Sequence, residues 1–325
     1  MSIRFSIIIP VKEVNEYLRE NISYIRDLEI VDWELIILPN NPHINEWGEK
    51  VRIIPTGKVG PAIKRDLGAE IAVGRYLVFF DDDSYPITNT LSVANEYFKD
   101  LSIAAIGGPA ITPPQDNIWQ RVSGAVFTSR LTGGNPERYI STGKSKFVDD
   151  WPSVNFMIRR SIFLEVGGFN SPYWPGEDTY FCWRLTTKYK YKILYAPDMP
   201  IFHHRRSGIL QHLKQVGAYG MHRGFFAKKY PETSLKIKYF LPTLLFMYMI
   251  FTAFYFILPE NIKNILILGW IIYGIVMIAG VSQISKNENI FVAFISIPYI
   301  FLTHFYYGYN FGVGLLKTKL TSKLR

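Results

Sequence analysis

Three apolar stretches in the last third of this chain limit what it can fold into. Residues 239–258, 265–282 and 290–311 each approach the length a helix needs to cross a bilayer, roughly 20 residues. Between 239 and 316 only Glu260, Lys263, Lys286 and Glu288 carry charge. One such stretch can be the core helix of a soluble protein. Three in succession, with short polar breaks at 259–264 and 283–289, predict a membrane region of two to three helices over 239–316. The remainder has ordinary soluble composition, so a domain over 1–230 is expected ahead of it.

Charge placement fits that division. The net charge is +9. Eight cations fall within 203–238 (Arg205, Arg206, Lys214, Arg223, Lys228, Lys229, Lys236 and Lys238), against one acid, Glu232. A basic run beside a spanning segment marks the cytoplasmic side and attracts anionic head groups. That placement argues for a lipid bilayer as partner and against nucleic acid. The start of the chain runs straight into a strand-like stretch, without the apolar length of a signal peptide. The single Cys182 excludes an internal disulfide and fits a reducing compartment. A multi-pass protein of the cell (inner) membrane, with its first domain cytoplasmic, is expected. The basic tail 317–325 (Lys317, Lys319, Lys323, Arg325) also belongs inside, which three full crossings would forbid. Pro298, His304, Gly308, Gly312 and Gly314 single out the third stretch as the one in question.

The first domain alternates strands and helices. Apolar runs at 5–11, 33–38, 51–54, 75–80 and 103–107 read as buried strands, with helices at 14–28, 60–73 and 89–99. Residues 110–150 read as irregular, followed by a strand at 155–158, helices at 161–166 and 177–188, and a strand at 192–196. Alternation of this kind predicts an α/β fold with a mostly parallel sheet, whose ligands bind at the carboxyl ends of the strands.

Asp81-Asp82-Asp83 ends the fourth strand at that edge. Adjacent carboxylates repel unless a cation lies between them. In an extended segment Asp81 and Asp83 share a face and Asp82 points away. Hard oxygen ligands suit Mg2+ or Mn2+ completed by substrate phosphates; a plain polar turn is the alternative. Glu177-Asp178 heads a helix, where acids often serve only the helix dipole. The preceding Tyr173-Trp174-Pro175-Gly176 adds aromatic surface suited to a sugar. His203-His204-Arg205-Arg206 can supply a metal ligand and cations for a diphosphate, or simply begin the lipid-facing basic run. Arg65 would ordinarily sit on a solvated helix face. Trp119, Trp151 and Trp174 can stack on a sugar, though aromatics more often belong to a core.

Taken in order, these pieces resemble the family 2 glycosyltransferases of the GT-A fold. FSIIIPVKEVNEYL is similar to the family's first strand and turn, GPAIKRDLGAEIAVGRYLVFFDDD to its helix, strand and DxD motif, and VNFMIRRSIFLEVGGFN with WPGEDTYFCWRL to its Gly-Gly-Phe turn and Glu-Asp motif. The match covers 1–230 well. It implies inverting transfer of a sugar from a nucleoside-diphosphate-sugar to a membrane-held acceptor, a polyprenyl-linked glycan or a lipid. It also implies roles. Asp83 would ligate the Mn2+ or Mg2+, Asp81 would contact the metal's water shell or the donor ribose, and His203 or His204 would complete the site. Asp178 would be the general base, positioned by Glu177. Arg65, Pro10, Lys12, Glu13, Asn40, Asp82 and Trp174 would line the nucleotide-sugar site.

Two departures stand out: Pro39-Asn40 replaces the Asp that usually reads the base, and Arg65-Asp66 replaces Arg-Asn. They keep open a reading as an inactive, membrane-bound nucleotide-sugar-binding scaffold or regulatory subunit. A transporter subunit with a regulatory domain is the other rival. No Gln-x-x-Arg-Trp motif of processive synthases is present, which favours transfer of single sugars.

Overall fold

The computed structural model describes residues 3–320, so Lys323 and Arg325 of the basic tail lie outside it. In chain order the elements begin β1 (Phe5–Pro10), α1 (Glu16–Arg26), β2 (Trp33–Leu38), β3 (Val51–Ile53), α2 (Pro61–Ile71), β4 (Tyr76–Phe80), β5 (Ser84–Pro86) and α3 (Thr90–Tyr97). Next come β6 (Ile103–Gly107), β7 (Ala110–Ile111), α4 (Ile118–Ala125), β8 (Lys146–Val148), β9 (Asn155–Arg159), α5 (Arg160–Glu165), α6 (Glu177–Trp183), β10 (Lys192–Tyr195) and β11 (Ile201–His203). The helices α7 (Ile209–Lys229), α8 (Pro231–Ser234), α9 (Ile237–Thr252), α10 (Glu260–Ile284) and α11 (Ile290–Leu316) complete the chain.

These elements form two compact units. One takes in residues up to Ile111 together with Ile140–His204; the other is Thr112–Tyr139 with Arg205–Leu320. Helix α7, expected within a 1–230 domain, groups instead with the apolar helices that follow it.

The first unit is built on an eight-stranded sheet of order β3-β2-β1-β4-β9-β6-β10-β8. It is mostly parallel, as expected, with β9 and β8 running against their neighbours. Every residue of β1, β2 and β4 is buried, because each strand is covered on both faces. Each fully buried Ile or Phe contributes on the order of 2 kcal/mol. Parallel pairing of β1 with β2 and β4 brings the ends of all three strands to one edge. A second sheet, β5-β11-β7, follows directly from that edge and pairs His203 with Ser84. Its strands of two and three residues carry too little pattern for a sequence reading. The stretch expected to be irregular also holds β7, α4 and β8. Helix α4 starts with a capping box in which Asn117 and Gln120 satisfy each other's backbone N–H groups.

In the second unit α11 packs against α7 and α9. Added Cβ atoms at Gly308 and Gly314 would lie 2.2 Å from Pro242 O and 2.0 Å from Met221 O. These glycines serve close helix contact; they do not interrupt the third stretch. By length and composition α10 and α11 can each cross a membrane. The doubt placed on the third stretch belongs to the first, since α9 has 16 residues, spans about 24 Å, and falls short of a core of about 30 Å. Large apolar side chains on these helices face outward, Ile278 at 73% and Ile265 at 62% exposure. His304, the one Asp, Glu, Lys, Arg or His within the two long apolar helices away from their ends, is satisfied on both nitrogens. Nε2–H donates to Thr132 O at 3.0 Å, and Nδ1 accepts from the Tyr273 hydroxyl at 3.0 Å.

Candidate active site

Asp81–Asp83 form a tight turn and not the extended run the sequence suggested. The Ser84 N–H and hydroxyl both donate to Asp81 O, at 3.2 and 2.9 Å. Asp81, Asp83 and His203 each bring one ligand atom, all within 4.8 Å of one another. His203 Nε2 lies 3.1 Å from Asp83 Oδ1. Two carboxylates and one imidazole, only partly exposed, fit a divalent ion of the Mg2+ or Mn2+ kind. Asp82 turns to Asn15, whose Nδ2 donates to Oδ2 at 2.6 Å while its Oδ1 caps α1 through Leu18 N–H at 2.9 Å. Burial pushes the Asp82 carboxyl up to about 6; the Asp83 charge adds to the rise and the Asn15 bond opposes it.

Arg65 ties this turn to the start of α6. It is 3% exposed. Nη2 donates to Asp81 Oδ1 at 2.6 Å and Nη1 to Glu177 Oε1 at 3.3 Å. The solvated-face expectation fails because α2 buries Ala62, Lys64, Arg65, Gly68 and Ala69, so both cations lie on its inward stripe. Burial pushes Glu177 up to about 7, with the Asp178 charge adding and Arg65 opposing. Asp178 is half-buried and accepts Thr179 N–H at 2.7 Å. Gly176, immediately before, has φ +112°, a conformation that favours glycine and lets the chain turn from the half-buried Trp174 into the helix.

The remaining expected residues are spread around this centre. His204 does not join Asp81 and Asp83; its Nε2 lies 2.9 Å from Glu20 Oε2. Adjacent strand residues face opposite ways, so only one of the two histidines can reach the cluster. Asn40 accepts a hydrogen bond from Lys64 Nζ at 2.7 Å. Pro10 is buried at the end of β1 opposite Leu38, and Lys12 and Glu13 are exposed in the turn beyond. Trp151 belongs to the core and donates its indole N–H to Gly108 O at 3.0 Å.

Lys64 escaped the sequence reading. Its ammonium also donates to Val11 O at 2.6 Å and Leu38 O at 3.0 Å, joining the ends of β1 and β2. Burial draws it down to about 8, against the pull of the Asp82 charge. A cation on a stripe of small residues is the signal that could have found it. Asp66 has a structural use, accepting the N–H groups of Phe169 and Asn170 at 2.7 and 2.8 Å and so clamping the Gly-Gly-Phe turn.

The family model described as Glycosyl transferase family 2 matches residues 6–167. A dolichyl N-acetyl-alpha-D-glucosaminyl phosphate 3-beta-D-2,3-diacetamido-2,3-dideoxy-beta-D-glucuronosyltransferase from Methanococcus voltae is 24% identical over 286 residues, 85% of this chain and 81% of that protein. Among solved structures, a mannosyltransferase from Pyrobaculum calidifontis in complex with GDP-Man and Mn2+ aligns with a TM-score of 0.57 at 15% identity. That alignment covers 98% of this chain and 88% of the other, and at such identity it speaks to fold alone.

Proposed function

This chain belongs to glycosyl transferase family 2 and has a GT-A-like fold, and from that premise we propose inverting transfer of one sugar to a membrane-held acceptor. The donor is a nucleoside-diphosphate-sugar, and the acceptor a polyprenyl-linked glycan or lipid. The observation that carries this reading is the Arg65 guanidinium bonded to both Asp81 and Glu177. It draws the acidic turn and the Glu-Asp helix into one site.

Asp81, Asp83 and His203 would hold Mn2+ or Mg2+. The bound ion would neutralise the departing diphosphate. Arg65 occupies Asp81 Oδ1 and fixes the orientation of that carboxylate. Asp178 takes the proton of the acceptor hydroxyl, and Glu177, held by Arg65, positions it. Single displacement requires no covalent nucleophile. The acceptor class is supported by the Methanococcus voltae relative, whose name specifies a dolichyl-phosphate-linked sugar. Helices α10 and α11 lie in the bilayer in this reading, and the basic residues of 203–238 keep residues 1–230 on the cytoplasmic face.

Transfer from UDP-, GDP- and dTDP-sugars with Mn2+ to a polyprenyl-linked acceptor tests the proposal. Asp178→Asn should lower transfer by roughly 10^2- to 10^4-fold while keeping the Mn2+-dependent thermal shift. Asp83→Asn should lose both. A wild-type chain that binds a nucleotide-sugar but transfers nothing would instead support a binding scaffold, and undiminished transfer in both variants would remove Asp178 and Asp83 from the reaction.

A further inference from the structure

We propose that α1 is the template of the metal-ligand turn, with Glu20 and Asn21 as positioning residues that hold Asp81, Asp83 and His203 at ligand spacing before an ion arrives. This rests on the reading of that cluster as a divalent-ion site.

Asn21 is fully buried, and its Nδ2 donates to the backbone carbonyl of Asp81 at 3.1 Å. The same carbonyl receives the Ser84 N–H and hydroxyl. Asn21 Oδ1 is buried with no partner. An unpaired buried carbonyl is destabilising, a cost that an apolar side chain of similar size would avoid. The asparagine therefore serves the bond to Asp81 O at a cost to stability.

Glu20, one residue earlier, reaches the other end of the turn. Its carboxylate accepts from His204 Nε2–H at 2.9 Å. The His204 ring is held by Tyr17 and Tyr85, with ring centroids 4.7 and 5.7 Å away. The backbone N–H of His204 donates to Asp83 O at 2.9 Å. Glu20 thus fixes, through His204, both the carbonyl of one ligand residue and the chain position of the next, His203. The three aspartates repel one another, and a loosely held turn would relax by spreading. Anchoring its backbone from α1 prevents that relaxation, and outer groups of this kind tune metal affinity.

The test uses the full chain in detergent, with Mn2+ alone as probe and free Mn2+ read by its EPR signal. Glu20→Ala and Asn21→Leu should each weaken Mn2+ binding about 10- to 100-fold. Glu20→Gln, which keeps an acceptor for His204, should recover most of the loss. Glu16→Gln, on the same helix with its side chain 94% exposed, should leave affinity unchanged. In transfer assays the change should fall on the Mn2+ concentration for half-maximal rate and leave kcat at saturating metal nearly intact. Wild-type Mn2+ affinity in Glu20→Ala and Asn21→Leu, with only a lowered thermal midpoint, would reduce both residues to structural props and overturn the proposal. A wild-type protein that takes up no Mn2+ or Mg2+ would sink the metal reading and this inference with it.

Discussion

The two units break the same burial rule in opposite directions. In the sheet unit the exceptions that set it apart are buried charges: Lys64 and Arg65 at 3% exposure and Glu177 at 7%. In the helical unit the exceptions are exposed apolar groups, Ile265, Ile278 and, at 88%, Phe256. Buried charge is expensive, and apolar replacements of an ion pair are often as stable. The Arg65 cluster is therefore better explained by a ligand that needs charge than by a gain in stability. Exposed hydrocarbon costs little in a solvent that is itself hydrocarbon. Each exception fits the medium or ligand that the proposed function gives its unit.

The largest effect should come from breaking the charge cluster. Arg65→Met strands Asp81 and Glu177 in a poorly hydrated site and should cost about 3–5 kcal/mol. Thermal midpoints measured without metal would report it. Adding Glu177→Gln should restore part of the loss. A double variant no more stable than Arg65→Met would show that the buried groups are not coupled.

A smaller effect sharpens the other side of the comparison. Ile272, near the middle of α10, is 52% exposed, and Leu101 of the sheet unit is 79% exposed. Leu101→Lys should change stability by no more than about 0.5 kcal/mol, as surface substitutions in water do. Ile272→Lys should cost about 2.5–3.5 kcal/mol of membrane insertion. Insertion yield in lipid vesicles separates the two, and equal tolerance at both positions would remove α10 from the bilayer.

What the sequence made legible follows from the range of the interactions involved. The runs ending at Pro10, Leu38 and Phe80 are continuous and apolar, so β1, β2 and β4 could be read locally, and so could the acids beyond Phe80. The choice of His203 over His204 could not, because it depends on β11 pairing with β5 across more than a hundred residues. Glu20 and Asn21 read as ordinary polar positions of a helix, since their partners lie 184 and 60 residues away. The first apolar stretch misled for another reason. Hydropathy counts residues, whereas a span needs helix, and α9 stops at Thr252 although apolar residues continue to Leu258.

The smallest expected effect is a response to pH of opposite sign in the two units. His212 is buried between the Ser123 and Thr303 hydroxyls, at 2.8 and 2.7 Å, and burial draws it from 6.5 down to about 4. The unfolded chain then binds a proton that the folded helical unit refuses. Its stability is full above about pH 6.5 and is lost as pH falls toward 4, by about 1 kcal/mol at pH 5.5. Glu177 behaves inversely. Its carboxyl is raised from 4.5 to about 7, so the folded sheet unit keeps a proton that the unfolded chain releases, and stability is lost as pH rises through 7. Acidification from pH 7 to 5.5 should therefore raise hydrogen-exchange protection factors, taken relative to the intrinsic rate at each pH, around α2 and α6 and lower them along α7. His212→Gln should diminish the second response only, and Glu177→Gln the first only. Protection that moves the same way in both units would show that burial is not what sets the titration of one of these groups.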